Sequence, residues 1–154
     1  MDEAAHSRFT GKVAIITGAA QGIGEATARL FVARGVKGLM LTDRQEDKLK
    51  AVADSLAAKY VVADLADPVQ VAHIVPAADA AFGRVDILVN VAGLTDRGTI
   101  WDTDVELWDK MFAINVRAPF FLMQAAARVM KRERGSGSIV NIASINAHGG
   151  ASFL

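Results

Sequence analysis

The feature that most constrains this chain is a glycine-rich segment between a short apolar run and an amphipathic stretch. Val13–Thr17 contains only apolar or β-branched residues, which predicts a strand buried on both faces. Glycine-rich residues 18–24 follow. Residues 23–34 then carry apolar side chains at helical spacing up to Gly35, which suits a left-handed helix end. A strand joined by glycines to a helix is the opening of a β-α-β unit, so a parallel sheet is predicted.

The same alternation continues along the chain. We predict further strands at 36–42, 60–63, 85–91 and 138–143, and further helices at 46–58, 67–82 and 104–132. The 67–82 helix should begin with Asp67 as N-cap and Pro68 in the first position, kink or split at Pro76, and end at Gly83. This order predicts an α/β fold with a doubly wound parallel sheet of the Rossmann type, as one domain over residues 1–154.

Composition excludes several function classes. Lys and Arg total 17 and Asp and Glu total 17, so the formal net charge is zero, which argues against nucleic acid or an anionic membrane as partner. The chain has no Cys and only three scattered His, so we expect no metal site. No apolar run reaches the roughly 18 residues that span a bilayer, and the polar N-terminus does not resemble a secretory signal. We therefore expect a soluble, cytoplasmic protein.

The glycine turn has the chemistry of a dinucleotide site. Glycines let the backbone approach a pyrophosphate, and the exposed N–H groups at the positive end of the following helix attract phosphates. Asp43 ends the second strand 19 residues after Gly24, where a carboxylate can accept hydrogen bonds from the adenosine ribose hydroxyls. The alternative is a structural turn followed by a solvated Asp43 that caps the next helix.

The charges around Asp43 bear on the choice of cofactor. Its carboxylate would repel a 2′-phosphate, and Ala19, Ala20 and Gln21 in the turn supply no cation to offset this. Arg44 is adjacent and could stack on adenine or bind a phosphate. We expect NAD as the cofactor, with NADP disfavoured.

These segments together resemble the short-chain dehydrogenase/reductase (SDR) family over nearly the whole chain. The turn reads Thr17-Gly18-x-x-x-Gly22-x-Gly24, like the family's cofactor motif. Asn90-Val91-Ala92-Gly93 is similar to its Asn-Asn-Ala-Gly motif, with Val91 replacing the second Asn. The resemblance and the turn chemistry give these cofactor-binding candidates: Thr17, Gly18, Gln21, Gly22, Ile23, Gly24, Asp43, Arg44, Asp64, Leu65, Asn90, Ala92 and Gly93.

The resemblance also implies roles for individual residues. Asp64-Leu65 looks like the family's adenine-contacting segment. Among catalytic residues, Asn115 falls where the family keeps a helix Asn in its active-site relay, and Ser144 follows the fifth strand like the catalytic Ser. Each has an alternative: Asp64 could cap a helix, Asn90 could be an ordinary strand-end residue, Asn115 could be a core Asn bonded to backbone, and Ser144 could be a loop hydroxyl. His148 fits a surface loop better than a substrate pocket.

The activity implied by the resemblance is NAD(P)-dependent hydride transfer between the nicotinamide and a small alcohol or carbonyl substrate. In that mechanism a Tyr whose pKa is lowered by a nearby Lys exchanges the substrate's proton. The Tyr-x-x-x-Lys pattern is expected beyond Leu154. The single tyrosine, Tyr60, has Asp64 four residues further on. We therefore expect the N-terminal part of a longer enzyme, without its catalytic Tyr and Lys. The alternative is a non-catalytic dinucleotide-binding or interaction module; a methyltransferase is disfavoured because Asn115 and Ser144 would have no role in it.

The predicted 104–132 helix is apolar nearly all round between residues 111 and 130. Such a helix needs cover on more than one side. The sheet can supply one side, and either a further helix of a larger domain or a second subunit can supply the other. We expect a homo-oligomer that forms through this helix.

Overall fold

Strands and helices alternate along the residues that the structure, a computed structural model, describes: 9–95, 98–133 and 135–144. The strands are β1 (Val13–Thr17), β2 (Gly38–Asp43), β3 (Lys59–Val62), β4 (Ile87–Asn90) and β5 (Ser138–Asn141). The helices are α1 (Gly22–Ala33), α2 (Glu46–Ser55), α3 (Pro68–Phe82), α4 (Val105–Phe112) and α5 (Ala118–Arg132), with a π-helical turn at Ala113–Arg117. Every predicted strand and the first three predicted helices are therefore present, with boundaries that differ by a few residues, whereas the predicted 104–132 helix is divided into α4, the π-helical turn and α5.

All five strands are parallel, in the order β3-β2-β1-β4-β5. The chain builds outward from β1 to β3 and then crosses back to place β4 on the other side of β1. The connections after β1 and β4 therefore leave the sheet in opposite directions, which opens a crevice at the carboxyl ends of these strands. The predicted doubly wound α/β fold is confirmed.

Apolar side chains cover both faces of the sheet at its central strands β1, β2 and β4, whereas β5 is exposed. Successive residues of β1 point to opposite faces, so Ile15 belongs to one cluster and Ile16 to the other. Ile15 lies with Ile74 of α3 and Leu122 of α5, while Ile16 lies with Leu49 of α2, and all of these side chains are fully buried. Each contributes about 1.5–3 kcal/mol on burial. The strand ends are therefore held by a core on each side.

The ends of α3 follow the sequence prediction, and the helix continues through Pro76. The Asp67 carboxylate accepts a hydrogen bond of 2.8 Å from the Val69 backbone N–H, and Gly83 closes the helix with φ of 74°. Pro76 lies inside the continuous helix, so of the expected kink or split the split does not occur. A proline removes one backbone hydrogen bond. The buried face around Ile74 holds the remaining turns against the sheet.

The predicted 104–132 helix is not one regular helix. The Ala118 N–H donates to the Ala113 carbonyl five residues back, which is π rather than α geometry. Pro119 follows in the first turn of α5 and has no N–H to donate to the Asn115 carbonyl. The π-helical turn therefore lies where a regular α-helix would already lack one backbone hydrogen bond. The prediction of a continuous α-helix was wrong at this point.

Beyond the turn, α5 buries one face and exposes another. Leu122 and Ala126 are fully buried against the sheet. The exposed apolar α4–α5 residues are Val105, Trp108, Phe112, Val116, Phe120 and Phe121. The rings of Trp108 and Phe112 stack with centroids 4.7 Å apart. One of the two expected sides of this helix is thus covered within the described residues, and the other is open.

Within the described ranges, no helix combines the length and the hydropathy required to cross a membrane. In the same ranges, no group of three or more His, Asp or Glu side chains is placed to hold a metal ion.

Candidate functional site

A cleft of about 340 Å³ opens at the carboxyl ends of the central strands. It is bordered by the segments that follow β1, β3 and β4 and by the end of β2. Its lining consists of Gly18, Gln21, Ile23, Gly24, Thr42, Asp43, Arg44, Gln45, Ala63, Asp64, Leu65, Val91, Ala92, Gly93, Leu94 and Ile114. Of the predicted cofactor-binding residues, only Thr17, Gly22 and Asn90 are not part of this lining.

Two glycines of the turn leave no room for a side chain. A Cβ on Gly18 would lie 2.9 Å from the Cα and N atoms of Ala92, and Gly18 has φ of 65°. A Cβ on Gly24 would lie 2.1 Å from the Gly18 carbonyl oxygen. The turn is therefore packed directly against both the start of α1 and the segment after β4. Backbone atoms form this wall of the cleft at Gly18 and Gly24, and Gln21 and Ile23 complete it.

Thr17 links the end of β1 to the segment that follows β4 through hydrogen bonds. Its Oγ1 accepts hydrogen bonds of 3.0 Å from the backbone N–H groups of both Val91 and Ala92. The residue is buried at the end of β1. This pair of bonds fixes the segment that leads to Gly93 at the cleft.

Asp43 is partly exposed at the end of β2 and holds the turn in place. One carboxylate oxygen accepts from the Ala20 N–H at 3.2 Å and the other from the Gln45 N–H at 3.0 Å. Gln45, not Asp43, is the N-cap position of α2. Each oxygen of a carboxylate has a second lone pair. Asp43 can therefore accept further hydrogen bonds from a ligand while it stays bonded to the backbone.

Asp64 and Leu65 border the cleft after β3. The Asp64 carboxylate accepts from the Ala66 N–H at 2.9 Å, within its own turn. The cap of α3 is supplied by Asp67, so the structure does not use Asp64 for that purpose. Leu65 is almost fully buried and gives the cleft an apolar wall.

Two buried polar atoms near the cleft have no hydrogen-bond partner among the described residues: Thr42 Oγ1 and Asn90 Oδ1. The Asn90 amide nitrogen donates to Asn141 Oδ1 at 2.8 Å, which links β4 to β5. Thr42 lies in the cleft lining. A buried hydroxyl without a partner is costly, so this one is suited to bond a ligand or water. Together with the backbone wall at Gly18 and Gly24, it fits a polar, phosphate-bearing group.

Asn115 lies in the π-helical turn and bonds to the loop after Gly93. Its Oδ1 accepts from the Leu94 N–H and its Nδ2 donates to the Leu94 carbonyl, both at 2.8 Å. The residue is exposed, so it is not a core Asn, but it does pair with backbone. Its neighbour Ile114 lines the cleft. The structure therefore brings Asn115 to the cleft edge, where it anchors the loop.

Ser144 and Tyr60 are not part of the cleft lining. Ser144 is exposed three residues beyond the end of β5 and is not part of the cleft lining. Tyr60 lies on β3 and packs, half-buried, against the cluster beneath α1 and α2. His148 lies outside the described residues.

Lys48, which the sequence reasoning did not single out, contacts a residue of the cleft lining. Its Nζ donates to Gln21 Oε1 at 3.0 Å, so a cation from α2 reaches the glycine turn. Nothing in the turn's own sequence signals this contact. The only available signal was the position of Lys48 in the first turn of the helix after Asp43.

A family model for short chain dehydrogenases matches residues 12–153. The chain belongs to the short-chain dehydrogenase family. The resemblance found in the sequence motifs is thus confirmed, and with it an oxidoreductase family built on a nucleotide-binding Rossmann fold. Members include a galactitol 2-dehydrogenase of Agrobacterium fabrum, which is 40% identical over 138 residues, covering 89% of this chain and 54% of that protein.

Two further relatives also match this chain over most of its length. An uncharacterised oxidoreductase of Staphylococcus aureus is 39% identical over 141 residues, which cover 90% of this chain and 60% of that protein. The crystal structure of a metagenomic short-chain oxidoreductase in complex with NADP superposes with a TM-score of 0.83 at 35% identity, covering 89% of this chain and 64% of that one. The chain therefore spans less than two thirds of the length of these relatives.

Proposed function

We propose that residues 1–154 form the dinucleotide-binding part of an NAD(P)-dependent oxidoreductase that acts on a small alcohol or carbonyl substrate. The observation that carries this proposal is the wall formed by Gly18 and Gly24 at the crevice between β1 and β4. In the proposed placement, the pyrophosphate lies against the backbone N–H groups of the turn at the positive end of α1. The ribose hydroxyls donate to Asp43, and the adenine lies beside Asp64.

A nicotinamide bound in this cleft would supply or accept the hydride. On our proposal Asn115 holds Leu94, and through it Gly93, at the nicotinamide end of the cleft, and it is the helix Asn of the proton relay. Ser144 is the proposed hydroxyl that polarises the substrate carbonyl.

Proton exchange is the step for which we propose no residue among the 154. A serine hydroxyl can donate a hydrogen bond but is a poor proton exchanger near neutral pH, whereas a Tyr beside a Lys can be tuned for the task. Tyr60, with Asp64 four residues on, has no Lys at that spacing. We infer that the 154-residue chain binds the dinucleotide without turning over substrate.

Cofactor preference is proposed from the charge of Asp43. A carboxylate at the ribose accepts from both hydroxyls of NAD and repels the 2′-phosphate of NADP. Arg44 also lines the cleft and reduces this discrimination. The proposal is therefore a preference for NAD rather than exclusion of NADP.

The exposed apolar α4–α5 residues support a proposed homo-oligomer. Several aromatic side chains there are about half exposed, which is costly for a surface that remains in water. A second copy of the chain, related by a two-fold axis, would bring the same residues together from both partners.

Titration calorimetry of the chain with NADH tests the proposed site, with Gly18→Ala and Gly11→Ala as a matched pair. Both glycines have positive φ, 65° and 77°, but a Cβ on Gly11 would meet no atom within 4 Å. We expect NADH binding by the wild type and Gly11→Ala, and at least about tenfold weaker binding by Gly18→Ala, provided its circular dichroism spectrum is native. A wild-type chain that does not bind NADH at millimolar concentration would contradict the proposed site. Turnover of an alcohol panel by the chain alone would contradict the inference about proton exchange.

A further inference from the structure

Lys48 places a positive charge at the glycine turn of residues 18–24. Its side chain is exposed on the first turn of α2, and its Nζ lies 3.0 Å from Oε1 of Gln21. Gln21 in turn lines the cleft, between the glycines of the turn. The ammonium group is therefore one hydrogen bond away from the cleft, on the side where α2 follows Asp43.

The charged groups that line the cleft are otherwise mainly acidic. Among the described lining residues they are the carboxylates of Asp43 and Asp64 and the guanidinium of Arg44. On these three groups alone, an added dianionic phosphate would meet net repulsion. Lys48, just outside the lining, is the cation that hydrogen-bonds to the glycine turn, whereas Glu46 and Asp47 in the same first turn of α2 add acidic charge nearby.

The partner of Lys48 leaves its charge available. Gln21 Oε1 is a neutral acceptor, so the bond does not neutralise the ammonium group. Lys50, two residues further along the same helix, differs in this respect. Its Nζ pairs with the Asp54 carboxylate at 2.5 Å, and this bond raises the pKa of Lys50. A lysine held by an amide can exchange that bond for a stronger, charge-assisted one to a phosphate.

We propose that Lys48 is a cofactor-selectivity residue. Its ammonium group leaves Gln21 and binds the 2′-phosphate of NADPH. This contact reduces the preference for NADH over NADPH that the Asp43 carboxylate produces. Lysine suits this role because its four-carbon stem is flexible and its charge is compact. The inference rests on the proposed function, since it requires the adenosine end of the dinucleotide to lie at Asp43.

The test is the ratio of the NADPH and NADH dissociation constants, measured by calorimetry for the wild type and three variants. Lys48→Met should raise this ratio about fivefold, the upper range for an exposed ion pair. Lys48→Arg keeps the charge and should recover most of the wild-type ratio. Lys50→Met removes the same unit of charge from the same helix without touching the turn, and should leave both constants at wild-type values.

The outcomes separate the two proposals. If Lys48→Met keeps the wild-type ratio, or if Lys50→Met changes it equally, the role of Lys48 is overturned while NADH binding still supports the cleft. If the wild-type chain binds neither dinucleotide, the proposed function fails and the selectivity role fails with it. The expected effect of Lys48→Met should also shrink as salt is raised, because an exposed ion pair is screened.

Discussion

Gly24→Ala tests the close contact between the glycine turn and α1. The added Cβ would lie 2.1 Å from the carbonyl oxygen and 2.7 Å from the carbonyl carbon of Gly18, where ordinary contacts are 3.4–4 Å. Both contacted atoms are backbone, so no side-chain rotation relieves the overlap. Overpacking of this kind costs about 1–3 kcal/mol, and we take the upper value because the overlap is severe.

Alanine also has a higher helix propensity than glycine, and this offsets the loss of unfolding free energy by about 1 kcal/mol at this position in α1. The net loss of unfolding free energy is then about 2 kcal/mol, since the two effects oppose each other. For a chain of this size, that loss lowers the melting temperature by roughly 4–8 °C. The displaced turn should also bind NADH more weakly.

Thermal and urea unfolding, followed by circular dichroism, measure the loss of unfolding free energy in Gly24→Ala. Gly135→Ala is the control. A Cβ on Gly135 would lie 3.9 Å from the nearest atom, the Glu133 carbonyl oxygen, so that variant should be neutral or gain up to about 1 kcal/mol. If Gly24→Ala is as stable as Gly135→Ala and binds NADH like the wild type, the described packing of turn against helix is wrong.

Three further predictions concern the loop anchor, an ion pair and the exposed surface. Asn115→Ala removes both hydrogen bonds to Leu94, so we expect about 1 kcal/mol less stability and about fivefold weaker NADH binding by calorimetry; unchanged binding would contradict the anchoring role. The two-pronged hydrogen bond from Arg132 lowers the pKa of Asp79 below its ordinary value of 3.8, so the pair stabilises the fold fully above that value and loses its effect as pH falls through the lowered pKa. The urea midpoints of the wild type and Asp79→Asn should therefore differ at pH 7 and converge in acid; a gap that persists in acid would rule out the ion pair as the cause. Trp108→Glu should convert a self-associating chain to a monomer in sedimentation velocity, and a wild-type chain that is already monomeric at high concentration would contradict the proposed oligomer.

The parts of the fold that could be predicted are those set by repeating patterns. The apolar run of β1 matched the structure at both ends because its neighbours, Lys12 and Gly18, break the pattern sharply. The cleft could be predicted for a related reason. Since parallel strands end at the same edge of a sheet, the residues after β1, β2, β3 and β4 had to meet, however far apart they lie in sequence.

The parts that could not be predicted depend on single residues or on contacts between distant segments. Hydrophobic periodicity averages over several turns, so one additional residue at Ala113–Arg117 leaves no clear mark on it. Local sterics at Pro76 predict an interrupted helix, whereas packing against the sheet decides whether the helix continues. The bond between Lys48 and Gln21 joins exposed side chains 27 residues apart, where neither burial nor periodicity carries information.

The most direct test of the central claim is a titration of the ¹⁵N-labelled chain with NADH, followed by amide chemical shifts. We predict that the backbone amides of the turn, from Gly18 to Gly24, shift first and most strongly, together with those of Ala92 and Gly93 across the cleft. The Gly135 amide should remain in place and serves as the internal reference. Saturating NADH that leaves the turn amides unmoved, or shifts a different surface instead, would contradict the account.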